Sequence, residues 1–131
     1  MSAKYLPLLT AVTATGYGVA RDGYAGNNDL NFSNYAIEVS IKGTSGTVTA
    51  SVDVYGSSDQ NGITGLSPSG AAKTYLGTVT LSGTGVGVLS SSAVADSGGF
   101  GVAPRYPWLI ANVTAISGTG AAVTCTGAFT G

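Results

Sequence analysis

Hydrophobic and polar residues alternate most strictly in two neighbouring stretches. In YAIEVSIK, Ile37, Val39 and Ile41 fall on one side and Glu38, Ser40 and Lys42 on the other. In TVTASVDVY, Val48, Ala50, Val52 and Val54 oppose Thr47, Thr49, Ser51 and Asp53. A period of two is the side-chain period of a strand, and one apolar face with one polar face marks a half-buried antiparallel strand. The stretch KGTSG (Lys42–Gly46) joins the two. Pairing Ile41 with Val48 across it keeps both apolar sets on one side, because a slip of one residue would turn a whole strand over. A hairpin is predicted here.

Two further pairs repeat the arrangement around a shared connector, SGTG, at Ser82–Gly85 and Ser117–Gly120. The first joins YLGTVTLS to GVGVLS, which would pair Leu81 with Val86 and Val79 with Val88. The second joins PWLIANVTAI to AAVTCTGAF, with Trp108, Ile110, Thr114 and Ile116 sharing a face with Val123, Cys125 and Phe129. Glycine supplies positive φ in such turns and Ser or Thr hydroxyls bond the turn's own backbone, so the recurrence reads as turn chemistry. This last strand breaks the rule. Asn112 falls on its buried face, while Val113 and Ala115 fall on its exposed one. Val113 and Ala115 are therefore candidate subunit-interface residues.

Before residue 35 the pattern is less regular. LLTAVTATGYGVA accommodates a strand over Leu8–Thr13 and another over Tyr17–Ala20, and RDGYAGNNDLNFSN reads as loop. GSSDQNGITGLSPSGAAK and SSSAVADSGGFGVAPRYP are long loops, the second confined by Pro104 and Pro107. No stretch holds a helical period. Seven or eight short strands predict an all-β chain, an antiparallel β-sandwich of jelly-roll type. The chain reads as a single domain over 1–131, with 1–15 a candidate N-terminal arm in which Leu8 and Leu9 are further interface candidates.

Composition sharpens this picture. Only 8% of the 131 residues are charged and the net charge is −1, whereas 44% are hydrophobic. Disorder usually shows the reverse balance, so an ordered fold is expected. The charge leaves no basic footprint for nucleic acid and little self-repulsion to oppose association. Cys125 is the sole cysteine, which excludes an intramolecular disulfide and is read as a small buried apolar group. MSAKYLPLLTAVTA lacks the form of a signal peptide, and no apolar run nears the roughly 20 residues a membrane helix requires. A soluble protein made in a cytoplasm, with no membrane partner, is expected.

Candidate chemistry is sparse. The chain has no histidine, which removes the usual general base and the commonest transition-metal ligand. Its acids are Asp22, Asp29, Glu38, Asp53, Asp59 and Asp96. Glu38 and Asp53 would project from adjacent strands on the solvent face, but a flat exposed face supplies neither the cleft nor the raised pKa that paired carboxylates need for catalysis. Asp59 and Asn61 in SSDQNG, and Asp22 with Asp29, fall short of the several carboxylates of a calcium site. No GK[ST] phosphate loop occurs. The expectation is no enzyme, no metal and no cofactor. Tyr5, Tyr17, Tyr24, Tyr35, Tyr55, Tyr75 and Tyr106 lie mostly at strand ends or in loops, where tyrosines stack on sugars, anchor interfaces or cap a sandwich edge.

VDVYGSSDQNG, YLGTVTLSGTG and YPWLIANVTAISGTGAAVTCTG together resemble small β-proteins encoded among the virion structural genes of tailed bacteriophages. In that group a G-S-N/S-D-G turn precedes an L-G-T-V/I-T-L strand. An aromatic-flanked R/I-A-N-V-T-x-I-S-G-T-G-A-x-V-T-V hairpin follows. Here these correspond to Gly56–Gly62, Leu76–Leu81 and Trp108–Thr126, within a similarity over residues 35–128 and, more weakly, Leu8–Gly16. The insertion ITGLSPSGAAK, Ile110 in place of an arginine and Cys125 in place of a valine depart from the pattern. The resemblance implies a capsid decoration (cement) protein on the virion exterior, a homotrimer that clamps the major capsid protein. The alternative is a tail-tip or fibre domain binding host-surface glycan through Tyr24, Tyr55, Tyr75 and Tyr106.

Overall fold

The computed structural model describes residues 4–19, 21–22, 34–57, 73–85, 94–102 and 108–130. They form β1 (Lys4–Val12), β2 (Gly16–Tyr17), β3 (Arg21–Asp22), β4 (Asn34–Lys42), β5 (Ser45–Ser57), β6 (Thr74–Thr84), β7 (Asp96–Val102), β8 (Trp108–Thr119) and β9 (Ala122–Thr130). One sheet has the order β1-β9-β4-β7, and the other β2-β8-β5-β6 with β3 also on β8. Every pairing is antiparallel. Because β2 and β3 both run along β8, they act as two halves of one interrupted strand. The pairs β1·β9, β2/β3·β8, β4·β7 and β5·β6 then describe one long two-stranded ribbon wrapped into two facing sheets. That is a jelly roll. The expected all-β sandwich is the observed fold.

The strands predicted around residues 37–54, 75–81 and 108–129 are present, whereas β2 ends at Tyr17 and Asp96–Val102, read as loop, is a strand because it pairs along β4. The first and third predicted hairpins do not form. β4 and β5 lie in different sheets, as do β8 and β9. Val48 lies opposite Gly83, Leu81 opposite Ala50 and Val79 opposite Val52, while Val86–Ser90 fall outside the described residues. Both sheets turn their apolar faces to one core, so alternation looks the same whether the next strand is a neighbour or stands opposite.

KGTSG and the SGTG at Ser117–Gly120 are thus corners between sheets, while Ser82–Thr84 of the other SGTG belong to β6 and its Gly85 meets the first corner at the same end of the sandwich. Thr44 N–H donates to the Thr119 carbonyl at 2.9 Å, and Gly85 N–H to the Gly46 carbonyl at 2.8 Å. The packing leaves no room for side chains there. A Cβ on Gly118, at φ +110°, would lie 2.6 Å from the Thr47 carbonyl oxygen, and one on Gly85 would lie 2.6 Å from Ser45 N. Space requires glycine at both positions, and conformation requires it at Gly118 as well.

The irregularity in β8 is a β-bulge. Val52 lies opposite Val113 and Ser51 opposite Ala115, so Thr114 is the extra residue. Its hydroxyl donates to the Ser51 carbonyl at 3.2 Å. The insertion shifts the phase of the strand. Leu109, Ala111 and Val113 are fully buried and Ile116 packs against the same core, whereas Trp108 and Asn112 are only half-buried. Val113 is 1% exposed and is a core residue, which corrects its reading as an interface residue. Ala115 is exposed, as expected.

The N-terminal segment is likewise part of the body. β1 pairs along β9, and Leu6, Leu8 and Leu9 are buried in the core. A register shift between Pro7 and Leu9 lets the adjacent Leu8 and Leu9 both point inward. Residues 4–12 are therefore no arm, and Leu8 and Leu9 are not available to a partner. Beside them Cys125 is buried, which pushes its thiol pKa up to about 12.

Candidate functional site

The residues of most chemical variety gather on the outer face of the second sheet. On β5, Val48, Ala50, Val52 and Val54 point to the core, which turns Asp53 and Tyr55 outward. Register brings Asn112 of β8 opposite Asp53 and Tyr17 of β2 opposite Asn112. On the other flank Thr78 of β6 lies opposite Asp53, and a shift after Val54 brings Tyr75 opposite Tyr55. Ile110 lies opposite Tyr55 and is fully buried, although it stands outside the main core cluster.

Three tyrosine rings consequently form a line. The Tyr17 and Tyr55 centroids are 6.3 Å apart and tilted by 39°, and Tyr75 meets Tyr55 edge-on at 6.0 Å. Lys73 Nζ sits 5.4 Å from the centre of the Tyr17 ring and 5.2 Å from that of Tyr55, within cation–π range of both. The Thr78 hydroxyl donates to Asp53 Oδ1 at 2.6 Å, and the Tyr55 hydroxyl makes a long 3.5 Å contact to Oδ2. The Tyr75 hydroxyl bonds that of Thr78. Burial, and next the Asp53 carboxylate, raise the Tyr55 pKa, since both disfavour a phenolate there.

This arrangement offers one open aromatic ring and little reactivity. Asp53 already accepts from two hydroxyls, and Lys73 lies over two of the rings. Tyr75 remains 55% exposed. Of the glycan-stacking candidates, Tyr55 and Tyr75 come together, and Tyr24 and Tyr106 lie outside the described residues. Asp29, Asp59 and Asn61 also lie outside them. The pairing of Glu38 with Asp53 does not form, because β4 and β5 belong to different sheets and these acids face away from each other across the core. Among the described residues, no group of three or more potential metal ligands occurs.

Tyr17, Lys73, Thr78 and Asn112 were not legible as members of one site. Tyr55 and Asp53 could be placed by the period of β5, whereas their neighbours arrive through long-range pairings and a register shift.

No protein-family model matches the chain. No curated protein matches it by sequence. Among solved structures it is similar to the SPBc2 prophage-derived protein YomS, with 14% identity, a TM-score of 0.51, and coverage of 98% of this chain and 92% of that one. At this identity the likeness is one of fold, and it extends over the whole jelly roll.

Proposed function

We propose that the chain is a non-enzymatic structural protein of a tailed-phage virion, and within the virion a capsid decoration protein that binds and stabilises the major capsid protein lattice from outside. The observation that carries this reading is the end-to-end likeness to a prophage-derived jelly roll, over 98% of the chain. The motif resemblance to virion β-proteins falls on β5, β6, β8 and β9 of the same fold. The physical build suits the role. Interlocked corners and a closed core give a stiff body, and the scarcity of charge leaves surfaces that desolvate cheaply against a partner.

The test is to purify particles produced by the replicon that encodes the chain, quantify the protein by mass spectrometry and locate it by immunogold labelling. Head labelling at a copy number commensurate with the capsid lattice is expected, with heads lacking the protein less resistant to heat. Absence from particles overturns the reading. Labelling confined to the tail overturns decoration and selects the second reading.

That second reading, a tail-tip or fibre domain that binds glycan, is favoured by the line of Tyr17, Tyr55 and Tyr75 on one sheet face. Its test is a glycan array with Tyr75→Ala as the control. Binding lost in the variant supports it, and no binding by the native chain removes it.

A further inference from the structure

As an acid or a base the aromatic face of the second sheet offers little, but its hydroxyls are arranged for the loss of an electron. A phenol that gives up an electron also gives up its hydroxyl proton, so a base within hydrogen-bond reach eases the step. Asp53 serves two phenols in this way. The Tyr55 hydroxyl donates towards Asp53 Oδ2 at 3.5 Å. The Thr78 hydroxyl gives its single proton to Asp53 Oδ1 at 2.6 Å, so in its bond with Tyr75 it accepts and Tyr75 donates. Both phenol protons thus lead to one carboxylate, from Tyr55 directly and from Tyr75 through Thr78. Because the two hydroxyl ends converge, the ring carbons beside them are brought towards one another, on rings whose centres are 6.0 Å apart. Those carbons carry much of the unpaired spin of a phenoxyl radical. Tyr17 stands 6.3 Å from Tyr55, but among the described residues no hydrogen bond joins its hydroxyl to Asp53.

We propose that Tyr55 and Tyr75 form an oxidative cross-linking site, at which a one-electron oxidant, a haem peroxidase with hydrogen peroxide, joins the two rings as dityrosine. Each phenol becomes a phenoxyl radical as its electron goes to the oxidant and its proton passes by way of Asp53 to water. The radicals join through a new carbon–carbon bond between the positions beside the hydroxyls. The hydrogen on each of those carbons then moves to its phenol oxygen. One hydrogen peroxide takes up the two electrons and two protons and becomes two waters.

Tyr75 is where the oxidant enters, since it is 55% exposed. Lys73 lies over Tyr17 and Tyr55, and a cation over a ring opposes loss of an electron from it. A radical formed on Tyr75 exchanges with Tyr55 across the ring contact, and a second oxidation of Tyr75 completes the pair. The new bond fastens β5 to β6 where their register shifts. The site does not rest on the decoration reading.

Trypsin provides the test. Its cuts after Lys42, Lys73 and Arg105 leave Tyr55 as the one tyrosine of fragment 43–73 and Tyr75 as the one tyrosine of fragment 74–105, whereas Tyr17 falls in 5–21. The full chain, kept dilute, is treated with a haem peroxidase and limiting hydrogen peroxide. Dityrosine fluorescence is followed, and digestion and mass spectrometry come after. A monomer in which 43–73 is joined to 74–105, with the loss of two hydrogens, is expected. Tyr55→Phe and Tyr75→Phe should each abolish this product, and Tyr17→Phe should retain it. Asp53→Asn should slow its formation by about tenfold or more, as loss of a proton acceptor does. Circular dichroism checks that each variant is folded. Should Asp53→Asn fail to fold, Thr78→Val, which cuts the path from Tyr75, replaces it with the same slowing expected. No cross-link, a link of 43–73 to 5–21, a link between two chains, or a rate indifferent to Asp53 and Thr78 overturns the proposal.

Discussion

The two outer faces of the sandwich cover one core and are finished in opposite ways. On the second sheet, long side chains are tied to one another: Lys73 lies over Tyr17 and Tyr55, and Asp53 gathers the hydroxyls of Thr78 and Tyr55. On the first sheet, rows of Gly, Ala, Ser and Thr surround an exposed Glu38 and an exposed Lys42. The first kind of face spends its polar groups on its own strands. The second presents mostly short side chains around these two exposed charges. The same core thus leaves each outer face free to be finished by its own strands.

The largest effects come from cutting beneath the two faces. Deleting residues 1–10 removes most of β1 with the buried Leu6, Leu8 and Leu9. Each such leucine is worth about 2–5 kcal/mol, so their loss together rivals the whole stability of a domain. No cooperative melt should remain, and a folded truncation would show that the first sheet is complete without β1. Next comes the bulge in β8. Val113→Asp buries an unpaired charge and should cost more than about 4 kcal/mol, whereas Ala115→Asp, two residues on, should stay within about 0.5 kcal/mol. Denaturant melts of the pair give the answer, and equal costs would mean that Thr114 does not shift the strand.

Smaller effects come from the titrating groups beneath and upon the faces. Burial raises the Cys125 thiol from 9.0 to about 12, so the folded chain holds its proton where the unfolded chain has lost it. That contribution is fully present below pH 9 and lost as pH rises towards 12. Between these limits unfolding stability should fall by about 1.4 kcal/mol per pH unit. Cys125→Val should flatten the slope, and a slope unchanged in that variant would assign it elsewhere. On the aromatic face, Tyr55 should ionise above the ordinary value of 10.0 in an ultraviolet titration read against Tyr55→Phe. Its raised pKa likewise withdraws stability only above the ordinary value of 10.0. Last, Lys73→Ala should cost about 0.5–1 kcal/mol, the worth of an exposed cation–π contact. A neutral result would mean that Lys73 rests on the rings without holding them.

Part of this was legible in the residues alone. Alternation in YAIEVSIK and TVTASVDVY placed Ile37, Val39, Ile41, Val48, Val52 and Val54 inside and Glu38, Lys42 and Asp53 outside, and the structure keeps each of them there. The glycine-rich connectors marked where strands end. Of the aromatic site, only Asp53 and the sequence-named Tyr55 and Tyr75 were within reach of such reasoning, since Tyr17 and Lys73 join them through contacts distant along the chain.

By itself, then, the sequence determined the all-β class, the inward residues of its regular strands and the positions of two corners, while the glycine-rich β7 passed as loop. These follow from a local period and from backbone freedom, which a few consecutive residues specify. Only the tertiary structure decided which strand stands beside which, that the β4–β5 and β8–β9 corners turn between sheets, that Thr114 reverses the phase of β8, and that residues 4–12 close the first sheet. The physical reason is that a strand's period states which of its faces is wet and says nothing of its neighbour. In a two-layer fold every neighbour meets the same core, and the choice among them rests on long-range packing and register.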